Sequence, residues 1–187
     1  MMKILESPLD EKTVRSLELG DIVYINGPVI TGRDEMHIRA IEKARAGEPA
    51  PEVLIGSVLY HCGPIMTEID GKKAVVAAGP TTSARMNSLE AEMISTFHIR
   101  AIIGKGGMSS DVGKAMADEG CVYLAATGGA AVTLAEGLYA VDGVEWEDLG
   151  MAEAMWKFRA NKLGPLIVAM DSKGNSLYEK VNSSLKR

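Results

Sequence analysis

Residues 79–108 constrain the fold more than any other stretch, because two glycine-rich loops there bracket one helix and one strand. Gly79-Pro80-Thr81-Thr82-Ser83-Ala84-Arg85-Met86 opens the stretch, and Gly104-Lys105-Gly106-Gly107-Met108 closes it. Residues 87–96 carry a helical pattern and residues 101–103 a short apolar run. Loop, helix, strand, loop and helix in that order indicate an α/β domain. Each loop feeds a helix N-terminus, where unpaired N–H groups and the dipole stabilise anions. Each also carries one cation, Arg85 in the first and Lys105 in the second. Two such loops suit one cavity, and a small anion bearing more than one carboxylate or phosphate is the ligand they suggest.

The remaining elements follow in chain order. Residues 13–19 alternate weakly before a turn at Gly20-Asp21. The apolar run 22–25 predicts a buried strand that Gly27-Pro28 breaks, with extended chain resuming at 29–31. Gly32-Arg33-Asp34 leads into a predicted helix over 35–46 that Gly47 ends. Residues 58–60 form a strand, and 65–69 with 74–78 form a hairpin about Asp70-Gly71, a favoured turn dipeptide. Ser109 or Ser110 is placed to cap a helix over 111–119, which Gly120 stops. A strand over 121–125, a helix over 130–136 and a strand over 138–145 come next. Residues 155–159 alternate, 166–170 are apolar, and Asp171 to Asn175 turns the chain into a second predicted hairpin with 176–178. The polar tail 179–187 reads as frayed or weakly helical. The expectation is one α/β domain, residues 1–187, with a mixed sheet, hairpins and flanking helices.

Composition removes several function classes. A net charge of −5 leaves no basic stripe for a nucleic-acid backbone, and 5% aromatics provide no stacking platform. No apolar run approaches the roughly 20 residues that span a bilayer. The first residues lack a signal-peptide apolar core, and two cysteines make no disulfide framework, so a reducing cytoplasm is expected. Those cysteines, Cys62 and Cys121, are also too few and too far apart for an iron–sulfur cluster. Three histidines and two cysteines support a zinc site no better. No metal ligand is therefore assigned to this chain, and any metal is expected to sit largely on another one. The 11 methionines read as core filler.

Residue 104 onward does not fit a phosphate loop, which needs four residues between its first glycine and a Gly-Lys-Ser/Thr. A dinucleotide fingerprint would need glycine where Ser109 stands. Arg33 precedes a helix start, where the dipole disfavours a cation, and a ligand would account for it. His37, four residues on, shares its helical side; an isolated histidine is usually a satisfied structural residue. His61 and His98 have weaker cases. One of Thr81, Thr82 and Ser83 is expected to cap the following helix. Alternatively, one of these hydroxyls contacts ligand or carries a proton, although an aliphatic hydroxyl is a poor base without a neighbour to take its proton. Arg85, four residues after Thr81, is expected above it on one helical face, with its fork open to a carboxylate.

These residues resemble a known family. Gly32-Arg33-Asp34 with His37, Gly79-Pro80-Thr81-Thr82 through Arg85-Met86, Lys105-Gly106, Gly150-Met151 with Trp156, and Pro165 with Asp171 to Gly174-Asn175 are similar to the β subunit of class I fumarases and L(+)-tartrate dehydratases. That subunit is equivalent to the C-terminal domain of single-chain class I fumarases. The resemblance implies a swivelling β/β/α domain and a hydro-lyase that adds water across a dicarboxylate double bond. It implies a [4Fe-4S] cluster on the alpha subunit, whose fourth iron acts as a Lewis acid. The family's substrate cations match Arg33, Arg85 and Lys105, and its proton-abstracting hydroxyl matches Thr81. His37, Thr82, Gly104 and Gly106 would support them. A hetero-oligomer with the alpha subunit is implied, with a homodimer as the alternative for the isolated chain. Fumarate hydratase is the leading expectation; tartrate dehydratase or a non-catalytic anion-binding or regulatory subunit are the alternatives.

Overall fold

A computed structural model describes residues 2–185. The chain runs β1 (Met2–Glu6), α1 (Glu11–Arg15), β2 (Ile22–Thr31), α2 (Asp34–Arg45), β3 (Val58–Tyr60), β4 (Ile65–Ile69) and β5 (Lys72–Ala77). It continues with α3 (Asn87–Phe97), β6 (Ala101–Gly104), α4 (Ser110–Glu119), β7 (Val122–Ala125), α5 (Ala131–Glu136), β8 (Leu138–Glu145), β9 (Met155–Met170) and α6 (Leu177–Leu185). No described helix is long and apolar enough to cross a membrane.

β2, β3, β6 and β7 pair in parallel, so their C-terminal ends and the loops that follow lie together at one rim. β9 runs antiparallel to both β7 and β2, so the pairings return to their starting strand. Alternation along the strands separates two cores. Val58, Tyr60, Ala101, Ile103, Val122 and Leu124 face the first, with Trp156, Phe158 and Leu166 of β9. Leu59, Ile102 and Tyr123 face the second, against Met36 and Ile41 of α2, Met93 and Phe97 of α3, and Met116 of α4. Burial on both faces explains why β3, β6 and β7 read as short apolar runs. Asp70 and Gly71 turn the β4–β5 hairpin, both at positive φ (51° and 73°), as expected for this dipeptide.

The structure departs from the sequence reading at several places. Gly27-Pro28 does not break β2: register shifts against β9 absorb Gly27, and Pro28 lies in the gap between the β1-paired and β3-paired parts of the strand. Met2–Glu6 is a strand that sequence reading missed, because only Leu5 of it is buried. Part of the 13–19 segment is helical, nucleated by Asp10, whose carboxylate accepts the Thr13 N–H at 2.7 Å. Residues 155–159 and 166–170 belong to one 16-residue strand. The second predicted hairpin shrinks to a single bridge, Met170 to Ser176, before α6 starts; of the two readings of the tail the helical one holds as far as Leu185, and residues 186–187 lie outside the described ones.

Gly27 has φ +88°, and a Cβ there would lie 2.3 Å from the Ser7 carbonyl oxygen. Gly27→Ala should therefore cost about 2–4 kcal/mol, from the left-handed backbone plus the clash. Gly20, at φ +89° with open space, isolates the backbone contribution, so Gly20→Ala should cost about 1–2 kcal/mol. Urea midpoints of the two variants measure the difference.

Candidate active site

The rim at the C-terminal ends of the parallel strands is where ligands bind in open α/β sheets. β2 delivers Gly32-Arg33-Asp34 to it, β3 delivers His61 to Gly63, and β6 delivers Lys105. The 79–86 loop lies across these ends. Cys62 bridges Pro80, and the His61 carbonyl accepts the Thr81 N–H at 2.7 Å. Thr82 bridges Lys105: Ser83 N–H donates to the Lys105 carbonyl (3.0 Å) and Lys105 N–H to the Thr81 carbonyl (3.3 Å). The two glycine-rich loops are thus bonded directly to each other. Glycines make room, since a Cβ on Gly63 would lie 2.8 Å from Arg33 Nη1.

Two of the three cations are held by carboxylates of this chain. Asp34 takes one edge of the Arg85 guanidinium, with a hydrogen bond from Nε at 3.2 Å and an ion-pair contact to Nη2 at 2.9 Å that falls short of hydrogen-bond geometry. Arg33 reaches Glu153 through Nη2 at 3.2 Å and Asp34 through Nε at 4.0 Å, where Nε is buried without a hydrogen bond. Lys105 makes no ion pair among the described residues, and its stem passes Gly128. Arg85 is 53% exposed and Arg33 22%, so the cluster is open on one side. Thr81 is half-buried, and its hydroxyl makes no hydrogen bond among the described residues. Asp34 and Glu153 were not foreseen; Asp34 adjoins Arg33 in sequence, whereas Glu153 is brought in only by tertiary structure.

The expected caps are corrected. Thr82 occupies the N-cap of a short 3-10 helix, Ser83–Met86, without a side-chain cap bond, and Met86 precedes α3. Ser83 turns inward instead. Thr81 and Arg85 do not share a helix face, because Thr81 lies before the first helical residue. Ser109 is the N-cap of α4, also without a side-chain cap bond. In that loop Gly107 N–H goes to the Tyr123 hydroxyl (3.3 Å) and Ser109 N–H to the Asn87 side chain (3.0 Å). These two N–H groups are engaged within the protein. His37 and His61 are fully buried behind the rim, around Glu90. His98, by contrast, is exposed and pairs with Glu119.

The residues present do not fit an iron–sulfur cluster. Burial pushes the Cys62 thiol up to about 12 and that of Cys121 well above its usual value, opposing the thiolate that ligates iron. The two also face opposite cores.

A model of the fumarase C-terminus matches residues 2–181. The chain belongs to that family. A Methanocaldococcus jannaschii protein, provisionally named L(+)-tartrate dehydratase subunit beta, is 48% identical over 98% of this chain and 95% of its own length. The Escherichia coli L(+)-tartrate dehydratase subunit beta is 37% identical, over 95% of this chain and 87% of its own. A Geobacillus stearothermophilus protein, provisionally named fumarate hydratase class I, is 42% identical over 96% of this chain, which spans 34% of that longer protein. In this fumarase C-terminal chain Gly104 is closely packed at the rim. A Cβ there would lie 2.0 Å from Ser83 Oγ and 3.0 Å from the Tyr123 hydroxyl. Gly104→Ala should destabilise by about 1–3 kcal/mol. Gly128→Ala, which meets only Lys105 Cδ at 4.0 Å, should stay within about 0.5 kcal/mol; denaturant midpoints report both.

Proposed function

We propose that this chain is the beta subunit of an iron–sulfur-dependent hydro-lyase, with reversible hydration of fumarate to (S)-malate as its reaction. The observation that carries the reading is the meeting of Arg33, Arg85 and Lys105 at one open rim beside Thr81, on a chain of the fumarase C-terminal family. A four-carbon dianion needs cations at both ends. Arg85 can offer Nη1 while Asp34 steadies its other edge. Removing a proton beside a carboxylate builds charge on that carboxylate, so preplaced cations stabilise the transition state more than the ground state.

Thr81 is proposed as the hydroxyl that takes the proton. It needs an acceptor in turn, and a carboxylate of the alpha subunit is the expected one. The [4Fe-4S] cluster is assigned to that subunit as well, since the cysteines here do not fit it. The assembly is a cytoplasmic hetero-oligomer. A second reading, L(+)-tartrate dehydratase, is favoured by the names of the M. jannaschii and E. coli relatives, and the clamp grips carboxylates that both substrates share.

The test mixes the chain with its cluster-loaded alpha partner and assays fumarate, malate and tartrate. Activity should be absent from the chain alone and appear in the pair; a pair inactive on all three overturns the enzyme reading. Arg85→Ala should remove about 2–4 kcal/mol of transition-state binding, about 30- to 900-fold in kcat/KM. Arg85→Lys should recover little of it, because the fork is lost. Thr81→Ala should lower kcat with KM nearly unchanged. Loss of stability alone would return Thr81 to a structural role.

A further inference from the structure

Behind the rim lies a polar chain sealed from solvent. Glu90 projects from α3, and its Oε2 meets His37 Nε2 at 3.0 Å and His61 Nε2 at 3.1 Å. The other ring nitrogens are also engaged, His37 Nδ1 with the Arg33 carbonyl at 2.6 Å and His61 Nδ1 with Ser83 Oγ at 2.9 Å. The Tyr123 hydroxyl donates to Ser83 Oγ at 3.0 Å and accepts the Gly107 N–H. His37, His61, Ser83 and Glu90 are all 0% exposed.

The partners assign the protons. A carbonyl only accepts, so His37 Nδ1 carries hydrogen; its Nε2 faces a carboxylate and carries one too, which makes this ring the cation. Ser83 accepts from Tyr123, so its own proton points at His61 Nδ1 and places the His61 hydrogen on Nε2. The electrostatics agree. Burial alone would raise Glu90, yet the two imidazoles hold it down at about 2. Burial opposes charge on His37, but the facing carboxylate wins and its pKa rises. His61 is lowered by burial, with the His37 charge adding to that. Other groups around the pair are Asp34 at the start of α2, and Tyr123 and Cys121 near β7.

This arrangement is not optimised for stability. The His61 Nε2 contact falls short of hydrogen-bond geometry, and Glu90 Oε1 has no hydrogen-bond partner among the described residues. Each buried orphan costs on the order of 1–3 kcal/mol, and a buried ion pair is commonly less stabilising than apolar packing. His37, His61 and Glu90 place three ligand atoms within 4.8 Å of one another, one fewer than the four protein ligands of a closed structural zinc site.

What the chain touches is informative. His61 donates its N–H to Ile103, accepts the Thr81 N–H on its carbonyl, and holds Ser83 with its ring. His37 grips the Arg33 carbonyl, and Tyr123 grips Gly107, two residues past Lys105. All three loops that carry the clamp are tied to it. We propose that the buried network of Glu90, His37, His61, Ser83 and Tyr123 is the positioning device of the carboxylate clamp, setting Arg33, Thr81 and Lys105 relative to one another without touching substrate. The proposal rests on the clamp reading above.

Two measurements test it. Long-range proton–nitrogen spectra of the full chain should show His37 as an imidazolium and His61 as the Nε2–H tautomer, both unchanged between about pH 6 and 8. Two rings titrating near their ordinary value, or stoichiometric zinc in the purified chain, would overturn it. In the alpha–beta pair, Ser83→Ala and Tyr123→Phe should each lower kcat about tenfold, with melting temperature held within a few degrees. In a Thr81→Ala background the Ser83→Ala change should cost clearly less than in the wild type, because part of its effect runs through Thr81. Additive losses, or losses matched by falling melting temperature, refute positioning. An inactive wild-type pair refutes the clamp reading instead, and the spectra still decide the network.

Discussion

The parallel pairing of β3 with β6 is the constraint on which the rest depends. Tyr60 lies opposite Ile103, so the chain leaves the two strands side by side, as His61 and as Gly104-Lys105. Parallel neighbours are joined by crossovers, and here the crossover includes the β4–β5 hairpin, the 79–86 loop and α3. The loop must return over the strand ends it connects, and it becomes an extra bridged layer, Cys62 to Pro80 and Thr82 to Lys105. Two loops whose bridged residues, Thr82 and Lys105, stand 23 positions apart are thereby locked through backbone bonds.

The charges are organised on top of that frame. Exposed salt bridges contribute little to stability, and the Arg85–Asp34 pair has one partner half in solvent. Its value is directional: a guanidinium tethered by one edge presents the other edge at a fixed angle. Glu153, from the segment before β9, does the same for Arg33, and its second oxygen accepts the Glu35 N–H near the start of α2 at 3.1 Å. One carboxylate thereby fixes a helix start and a rim cation together.

Much of this was legible in the sequence because local physics and fold agreed. Strands buried on both faces produce apolar runs, glycines mark the turns, and the motifs that hold Arg33, Thr81, Arg85 and Lys105 resembled those of a family. Asp34 was adjacent to a residue already singled out, and Glu90 was readable in principle. It sits with Met93, Ile94 and Phe97 at helical spacing, so a carboxylate occupies the buried stripe of α3. Glu153 and Tyr123 carry no such local signal, since their roles arise from contacts with residues far away in sequence. Gly27-Pro28 misled for a related reason. Whether a proline breaks a strand depends on which edge has a partner, and that is fixed by β1, β3 and β9 together.

The helix starts tell the same story from stability. α1, at the far end from the rim, obeys the capping rule through Asp10. At the rim α2 has a cation, Arg33, as its N-cap, and α3 follows a methionine. α4 follows Ser109, whose side chain makes no cap bond. Each missing cap forgoes about 1 kcal/mol, although serine and threonine stand within a few residues of two of these starts. Sequences under selection for stability alone would turn such hydroxyls onto the helix. Here Ser83 turns to His61 and Tyr123, and Thr81 and Thr82 lie in bridged, extended backbone. Local rules thus fail together on one face and hold at the other end of the molecule, as expected of a face whose side chains are committed to contacts other than helix capping.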